Sequence, residues 1–258
     1  MSDTLTKQQL ADIKLLLQKK YREEQQRFII EGWKALHEAV DANVEIDAVL
    51  VREDEQENEL LKKIRRAVSR VYFVSAKQLE SLSDAVTAQG VLAVLPFFPA
   101  AGTEMPFLKK KDALIVAVDG VADPGNLGTI IRTCDWFGVD AVVLGKGTVE
   151  LYNPKVVRST MGSLFHLPVI PNTDLPDFLH RSQAVHCTVW STELKGSDDL
   201  RSVTFGGKNV IVIGSESHGV SKEVSATAQR SLLIPRFGKA ESLNAALACG
   251  IILAKVRS

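Results

Sequence analysis

The sequence predicts an α/β fold in two domains, and three observations support this prediction. The chain has 258 residues, which is enough for two domains of ordinary size. Apolar runs of strand length alternate with segments of helical spacing along the chain. In the second half, apolar runs over 113–118 and 210–213 end in glycine-containing turns that precede helices. Open α/β sheets commonly bind their ligands beyond the carboxyl ends of such strands.

The first hundred residues form a separate unit in which helices and strands alternate. Leu10, Ile13, Leu17 and Tyr21 share one side of the first helix. The pattern predicts, in order, a helix over 6–22, a strand over 27–31, a helix over 32–40, a strand over 46–51, a basic helix over 60–69 and a strand over 71–74. This alternation is typical of a compact α/β/α layer.

A turn-rich segment over 96–102, with the sequence PFFPAAG, predicts the hinge between the domains. We place the boundary close to residue 105. The first domain then covers 1–104 and the second covers 105–258.

The first strand-to-helix junction of the second domain brings Asn126, Gly128 and Arg132 together. The apolar run over 113–118 ends in Asp119, a turn follows at 123–125, and helical spacing resumes over 129–137. Arg132 is therefore expected in the first turns of a helix. An ordinary strand, turn and helix with a surface arginine explains the same residues.

The second junction reads VIVIGSESHGVS over 210–221. The loop after the strand exposes backbone amides, and it contains Gly214, Glu216 and Gly219. A tight turn that needs glycine explains the same pattern, with Glu216 solvated or capping the next helix.

The third junction, over 232–256, is a short strand, a loop with Pro235 and Gly238, and a helix opened by Ser242 or Glu241. Asn244 then lies inside the first turn. The alternative interpretation makes Ser242 a helix cap and Asn244 an ordinary residue at the helix start.

Together the three junctions resemble the three signature motifs of the SpoU family of ribose methyltransferases, which belongs to the SPOUT class. The stretch NPKVVRSTMG over 153–162 is similar to a further segment of that family. Two departures are Ser217, where the family commonly has glycine, and Arg236, where it commonly has methionine. The likeness runs through the whole second half in the right order. The segment over 20–40, with its FIIEG strand, resembles the ribosomal-protein-like domain that precedes many SpoU catalytic domains.

The resemblance implies a parallel α/β sheet whose C-terminal segment forms a trefoil knot. It implies S-adenosylmethionine as cofactor and RNA as partner, with methylation of a ribose 2′-hydroxyl in structured RNA, most of all ribosomal RNA. Family members act as homodimers, and the helix over 244–255 offers Ala248, Ile251, Ile252 and Val256 for that contact, although the same face could pack in the core of the chain. A transfer-RNA ribose methylase, an inactive RNA-binding paralogue and an unrelated small-molecule enzyme are the alternatives.

The resemblance also assigns roles to residues. Arg132 acts either as the base or, because a guanidinium keeps its proton, as a charged group that stabilises the developing 2′-oxyanion. Asn126 holds Arg132 or the ribose, and Glu216 fixes the loops or Arg132 by an ion pair. Further positions are assigned to the nucleotide (Ser242, Asn244), to the cofactor (Thr192, Gly214, Ile234, Leu243) and to RNA (Lys155, Arg158).

The composition of the chain restricts the other classes of function, cofactor and location. The 31 basic and 31 acidic residues balance, so no global field marks a nucleic-acid partner. Three cysteines without CxxC spacing and five scattered histidines predict neither disulfides nor a metal site. No apolar run is long enough for a membrane span, and the polar N-terminus predicts an untargeted cytoplasmic protein. NAD and ATP fingerprints are absent.

Overall fold

A computed structural model describes residues 5–83, 89–99 and 105–258. Up to residue 99 the elements are α1 (Lys7–Leu15), α2 (Lys19–Gln25), β1 (Arg27–Glu31), α3 (Trp33–Asp41), β2 (Ala48–Arg52), α4 (Glu59–Ala67), β3 (Val71–Val74), α5 (Ala76–Glu80) and β4 (Val91–Pro96). From residue 105 onward they are β5 (Leu114–Asp119), α6 (Pro124–Trp136), β6 (Ala141–Gly145), α7 (Pro154–Thr160), β7 (Val169–Thr173), α8 (Leu175–Ala184), β8 (Cys187–Thr192), β9 (Asp198–Asp199), β10 (Lys208–Gly214), α9 (Lys222–Thr227), β11 (Arg230–Leu233) and α10 (Ala245–Val256).

The chain divides into two compact units. The first contains the described residues up to Pro99 together with Glu150–Phe165, and the second contains the remaining residues from 105 onward. The segment over 150–165, which lies within the predicted second domain, thus packs within the first unit. Residues 100–104, which include part of the predicted hinge, lie outside the described residues, and the boundary near residue 105 stays a prediction.

The first unit is built on a four-stranded sheet in the order β1-β4-β2-β3. β4 is antiparallel to both of its neighbours, while β2 and β3 are parallel. The predicted strand over 71–74 is confirmed. The single helix predicted over 6–22 is wrong, because Gln18 is extended and separates α1 from α2. This break lets both Leu16 and Arg22 become buried.

The segment over 150–165 joins the first unit through α7, which packs on β1. Its Tyr152 ring stacks on Phe97 at 3.9 Å between centroids and contacts Phe28 at 4.6 Å. The Tyr152 hydroxyl accepts a hydrogen bond from the Phe98 amide at 3.0 Å, and burial raises the pKa of Tyr152. Aromatic packing of this kind makes the segment an integral part of that core.

The second unit is a seven-stranded sheet in the order β7-β6-β5-β10-β8-β11-β9, with every pair parallel. β5, β6 and β10 are almost completely buried, as expected for parallel strands with both faces covered. α8 and α9 pack with β8, and α6 packs against α10. The predicted α/β class and parallel sheet are confirmed. The trefoil knot stays a prediction.

The strand order reverses between β5 and β10. From β5 the sheet continues through β6 and β7 on one side, whereas β10, β8 and β11 lie on the other. A crevice for a ligand is expected at such a reversal, beyond the carboxyl ends of the strands. In this chain those ends are Asp119 and Gly214, which lie in register.

The described residues contain neither a membrane-spanning helix nor a metal-binding cluster. No helix there is long and apolar enough to cross a membrane, and no cluster of three acidic, histidine or cysteine side chains is suited to a metal ion. The three cysteines are unpaired and buried. Burial raises the pKa of the Cys134 thiol well above its ordinary value, so this group is a neutral part of the core.

The buried ion pair between Arg22 and Glu150 provides a test of how the segment over 150–165 is held. Arg22 Nε donates to Glu150 Oε1 at 2.9 Å, and Arg22 also donates to the Leu16 carbonyl at 2.8 Å. Glu150→Gln leaves a buried cation without its counter-charge, so we expect the free energy of unfolding to fall by about 3–5 kcal/mol in urea denaturation. Glu23→Gln, which removes the exposed Lys19–Glu23 pair, is the control with an expected loss below about 1 kcal/mol. Equal losses in the two variants would contradict the role given to Glu150.

Candidate active site

Four loops of the second unit leave the same edge of the sheet. β5, β10, β8 and β11 are neighbours and run in parallel, so their carboxyl ends lie together. The loops that follow them contain all three junctions singled out in the sequence. The structure therefore brings these distant stretches together, and side-chain hydrogen bonds join them.

The side-chain amide of Asn126 connects the three junctions. Its Nδ2 donates to Glu216 Oε1 in the loop after β10, and its Oδ1 accepts a hydrogen bond from Asn244 Nδ2 at 2.8 Å. The backbone amide of Asn126 donates to Asp123 Oδ1 at 2.8 Å, which caps α6. An ionised carboxylate only accepts, so this assignment of the Asn126 nitrogen and oxygen satisfies both partners.

Asn244 is the N-cap of α10. Its Oδ1 accepts hydrogen bonds from the amides of Ala246 and Leu247, at 2.9 and 3.2 Å. The helix begins at Ala245, so the interpretation in which Ser242 or Glu241 opens it is wrong. Capping fixes the Asn244 side chain with its nitrogen directed at Asn126. Ser242 is exposed in the preceding loop.

The loop after β10 doubles back closely on itself. Ser215 and Gly219 exchange backbone hydrogen bonds of 3.0 and 2.9 Å. A Cβ atom on Gly214 would lie 2.1 Å from the Gly219 carbonyl carbon, so only glycine fits there. The Ser221 amide donates to Asp119 Oδ2 at 2.7 Å, which ties this loop to the end of β5. Asp119 was not predicted as a site residue, although its place at the end of a buried strand was a signal for it.

Arg132 lies further along its helix than predicted. α6 begins at Pro124, because proline is well tolerated at the first position of a helix, and Arg132 is therefore in the third turn. Its side chain is exposed, and among the described residues no hydrogen bond or ion pair engages the guanidinium. Of the two alternatives for each residue, contact of Glu216 or Asn126 with Arg132 is therefore not observed among the described residues, and Glu216 instead joins two motif loops through Asn126.

The residues assigned to the cofactor surround this edge of the sheet. Thr192 ends β8, and its hydroxyl donates to the Val212 carbonyl at 2.8 Å. Gly214 ends β10 and is buried, and Ile234 directly follows β11. Leu243 is 45% exposed beside the α10 cap, so an apolar surface is accessible there.

The two residues assigned to RNA lie on α7 in the first unit. Lys155 is exposed, and Arg158 is half-buried beside a small cavity that Leu17, Glu31 and Leu82 also line. Asn153 caps this helix by accepting from the Lys155 amide at 2.9 Å. The half-burial of Arg158 follows from the packing of α7 on β1.

The exposed face of α10 differs from the predicted one. Ile252 is fully buried, so at this position the core interpretation of the face is confirmed, whereas Ala248 and Val256 are half-buried and their contact with a second copy stays a prediction. The large apolar side chains that α10 exposes are Leu247 and Ile251. On α6, which packs against α10, Trp136 is 85% exposed.

Two family models match the chain. Residues 113–254 match the SpoU rRNA Methylase family, and residues 7–93 match the MRM3-like substrate binding domain. The first match covers more than half of the chain and contains the motif residues of all three junctions.

Named relatives match over nearly the whole length. The chain is 32% identical over 251 residues to the 23S rRNA (guanosine(2553)-2′-O)-methyltransferase RlmP of Bacillus subtilis, covering 97% of this chain and 96% of that protein. The crystal structure of an AdoMet-bound rRNA methyltransferase from Sinorhizobium meliloti is 31% identical, with a TM-score of 0.86 over 98% of this chain and 95% of that chain. The AviRb SpoU methyltransferase of Streptomyces viridochromogenes shares the fold, with 24% identity and a TM-score of 0.88 over 98% and 97% of the two chains. The chain therefore belongs to the SpoU rRNA methylase family, as its three junctions predicted.

Proposed function

We propose that this chain transfers a methyl group from S-adenosylmethionine to a ribose 2′-hydroxyl of ribosomal RNA. The observation that carries the proposal is the Asn126 network, which joins the three motif loops at the strand reversal where α/β sheets bind ligands. The names of the relatives support ribosomal RNA as the substrate. A protein that modifies this RNA acts where ribosomes are made, so we also propose a cytoplasmic location.

The residues at the sheet edge fit the cofactor. Adenine and ribose need backbone hydrogen bonds and an apolar contact, and the close loop at Gly214, the segment at Ile234 and the accessible Leu243 supply these. The Thr192 hydroxyl is engaged with Val212, so its contribution is to fix the end of β8. When bound, S-adenosylmethionine supplies a methyl group on a positively charged sulfur.

Arg132 serves the RNA rather than the cofactor pocket. A ribose hydroxyl is a weak nucleophile, and loss of its proton builds the negative charge on the 2′-oxygen that makes it reactive toward a methyl group. A guanidinium keeps its proton at any physiological pH, so Arg132 stabilises that charge and binds an adjacent phosphate through its fork of donors. Water or a phosphate oxygen then takes the proton. Ser242, exposed in the loop before α10, offers a hydroxyl to the same nucleotide.

Glu216 acts as a positioning residue. It accepts from Asn126 and so holds the loop after β10 against α6. Asn244 does the same for α10, because one side chain both caps the helix and binds Asn126. These contacts keep the loops in place before any ligand arrives, which lowers the cost of ordering them.

The first unit contributes RNA binding. It matches a substrate binding domain, and we assign the exposed Lys155 on α7 to a phosphate of the RNA. Arg158 is half-buried, and we assign it a smaller part in that contact. Each lysine or arginine that binds a phosphate adds close to one unit to the salt dependence of RNA binding.

Incubation of the purified protein with total RNA and labelled S-adenosylmethionine tests the proposal directly. We expect the label in one ribose of large-subunit ribosomal RNA, found by mapping the nucleotide that resists alkaline cleavage. Label in transfer RNA instead would favour the tRNA methylase. Cofactor binding by calorimetry without any transfer would favour an inactive RNA-binding paralogue.

Arg132→Lys tests the role of the guanidinium. Lysine keeps the charge but loses the planar fork, so we expect kcat to fall about 10²- to 10³-fold, the usual effect of removing one donor to an oxyanion. The KM for S-adenosylmethionine should stay within about twofold. Steady-state methylation assays with ribosomal RNA measure both constants. Full retention of turnover would contradict the proposed role.

Glu216 is tested by two substitutions that separate its charge from its hydrogen bond. Glu216→Gln keeps an acceptor for Asn126, so we expect kcat/KM to stay within about tenfold of the wild type. Glu216→Ala removes the acceptor and should lower kcat/KM by about a hundredfold, largely through the KM for S-adenosylmethionine. If the two variants were equally inactive, the negative charge itself would be required, and the positioning role would be wrong.

We propose that Trp136, Leu247 and Ile251 form the apolar face through which two copies associate, since large exposed apolar groups on packed helices indicate an interface.

Leu247→Asp places a charge on this face, at a helix position where aspartate is favourable, so α10 should remain folded. Light scattering is expected to show a dimer for the wild type and a monomer for the variant. Met161→Asp, at an exposed left-handed position of the first unit that tolerates aspartate, should remain a dimer. A monomeric wild type would overturn this proposal.

A further inference from the structure

The loop between β11 and α10 carries an aromatic side chain that is almost fully exposed. Phe237 is 87% exposed, and it lies three residues after Ile234 and five before Ser242. Gly238 follows it directly, and the Arg236 guanidinium donates to the Ala240 carbonyl at 3.3 Å, which closes the loop tip on itself. A phenylalanine in such a tip is not part of any core, so its ring is available to a partner.

A fixed cation borders the Phe237 ring. The Arg201 guanidinium carbon lies 5.7 Å from the ring centroid, within the range of a cation–π contact. Arg201 is itself held by Asp199, to which its Nη2 donates at 2.6 Å, and this bond keeps the pKa of Asp199 below its ordinary value. Asp199 belongs to β9, which pairs with β11. The ring is thus anchored on one side by a cation that the sheet positions.

Among the described residues, four cations without an ion pair follow the parallel strands at the edge of the sheet that holds this loop. Lys195 follows β8, Lys222 begins α9 after β10, and Arg236 and Lys239 flank Phe237. Within the described part of the chain, no ion pair joins these four side chains to a carboxylate. A Cβ atom on Gly196 would lie 2.8 Å from the backbone of Leu232, so the loop that carries Lys195 packs tightly on β11. The cations therefore lie in segments that follow neighbouring parallel strands, at the same edge of the sheet as the loop that holds Phe237.

We propose that Phe237 is a stacking platform for a base of the RNA substrate, next to the ribose that is methylated. This inference rests on the proposed function and adds a residue that positions the RNA. An aromatic ring among cations is the combination that binds single-stranded nucleic acid, since the ring stacks on a base while the cations bind phosphates. The same four cations would repel their own copies, which argues against a second copy of the chain as the partner.

The experiment compares Phe237→Ala and Phe237→Trp with the wild type on unmethylated ribosomal RNA. Loss of stacking on one base weakens binding by about 5- to 100-fold, so the KM for RNA should rise by that factor in the alanine variant. The tryptophan variant, which keeps a stacking ring, should stay within about threefold. Calorimetry should give the same affinity for S-adenosylmethionine in all three proteins.

The salt dependence of RNA binding separates stacking from charge. Phe237→Ala should weaken binding without changing the slope of log K against log salt, whereas Lys239→Gln should reduce that slope by about one. Val185→Ala is the matched control, because Val185 is an exposed apolar residue at the opposite, amino end of β8. It should match the wild type in every measurement.

Three results would contradict the proposal that Phe237 stacks on a base of the RNA. One is an unchanged KM for RNA in Phe237→Ala while the wild type methylates normally, which leaves the proposed function intact. Another is a loss of affinity for S-adenosylmethionine in that variant, which would make Phe237 part of the cofactor pocket. The third is a change of oligomeric state, which would make it part of an interface. A wild type that methylates no RNA would instead overturn the proposed function together with the platform.

Discussion

The arrangement of the candidate site depends on the side-chain amide of Asn126. An amide carries donors on one end and an acceptor on the other, and here the donor binds Glu216 while the acceptor binds Asn244. Asn244 in turn caps α10, so a helix start, a strand-end loop and a second helix start are held by three side chains. Each bond contributes only about 1–3 kcal/mol, so the value of the network lies in position more than in stability.

The network also explains why the guanidinium of Arg132 has no hydrogen-bond or ion-pair partner within the described part of the chain. If the carboxylate of Glu216 were paired with the guanidinium, RNA binding would first have to break that pair. Because the amide of Asn126 satisfies Glu216 instead, the cation remains available on a helix that packs firmly against α10. Because the Arg132 guanidinium has no ion pair to break among the residues described and lies on a firmly packed helix, little of the protein has to rearrange when negative charge develops on the substrate.

The sequence predicts the parts of the site better than their connections. Apolar runs with turn residues at their ends locate the strands, and parallel strands necessarily bring Gly214 and Ile234 to one edge. The partner of an amide, however, depends on groups 90 and 118 residues away, as for Glu216 and Asn244, and no local pattern records them. For the same reason, the sequence does not predict that the segment over 150–165 packs in the first unit. Its motif identifies the family, but Tyr152 packs in the first unit because of aromatic partners that are remote in sequence.

Net charge was the least informative property of the sequence for predicting an RNA partner, and the positions of the charges explain this. The basic clusters most visible in the sequence are partly neutralised by neighbours, as Lys62 is by Glu59 and Lys63 by Asp41. Lys195, Lys222 and Lys239, which pair with no carboxylate among the described residues, instead follow separate parallel strands at one edge of the second unit. A balanced total is therefore compatible with a local field that favours phosphates, since fields depend on where unpaired charges lie. For a sheet of this topology, the informative quantity is the charge of the loops at the carboxyl ends of the strands.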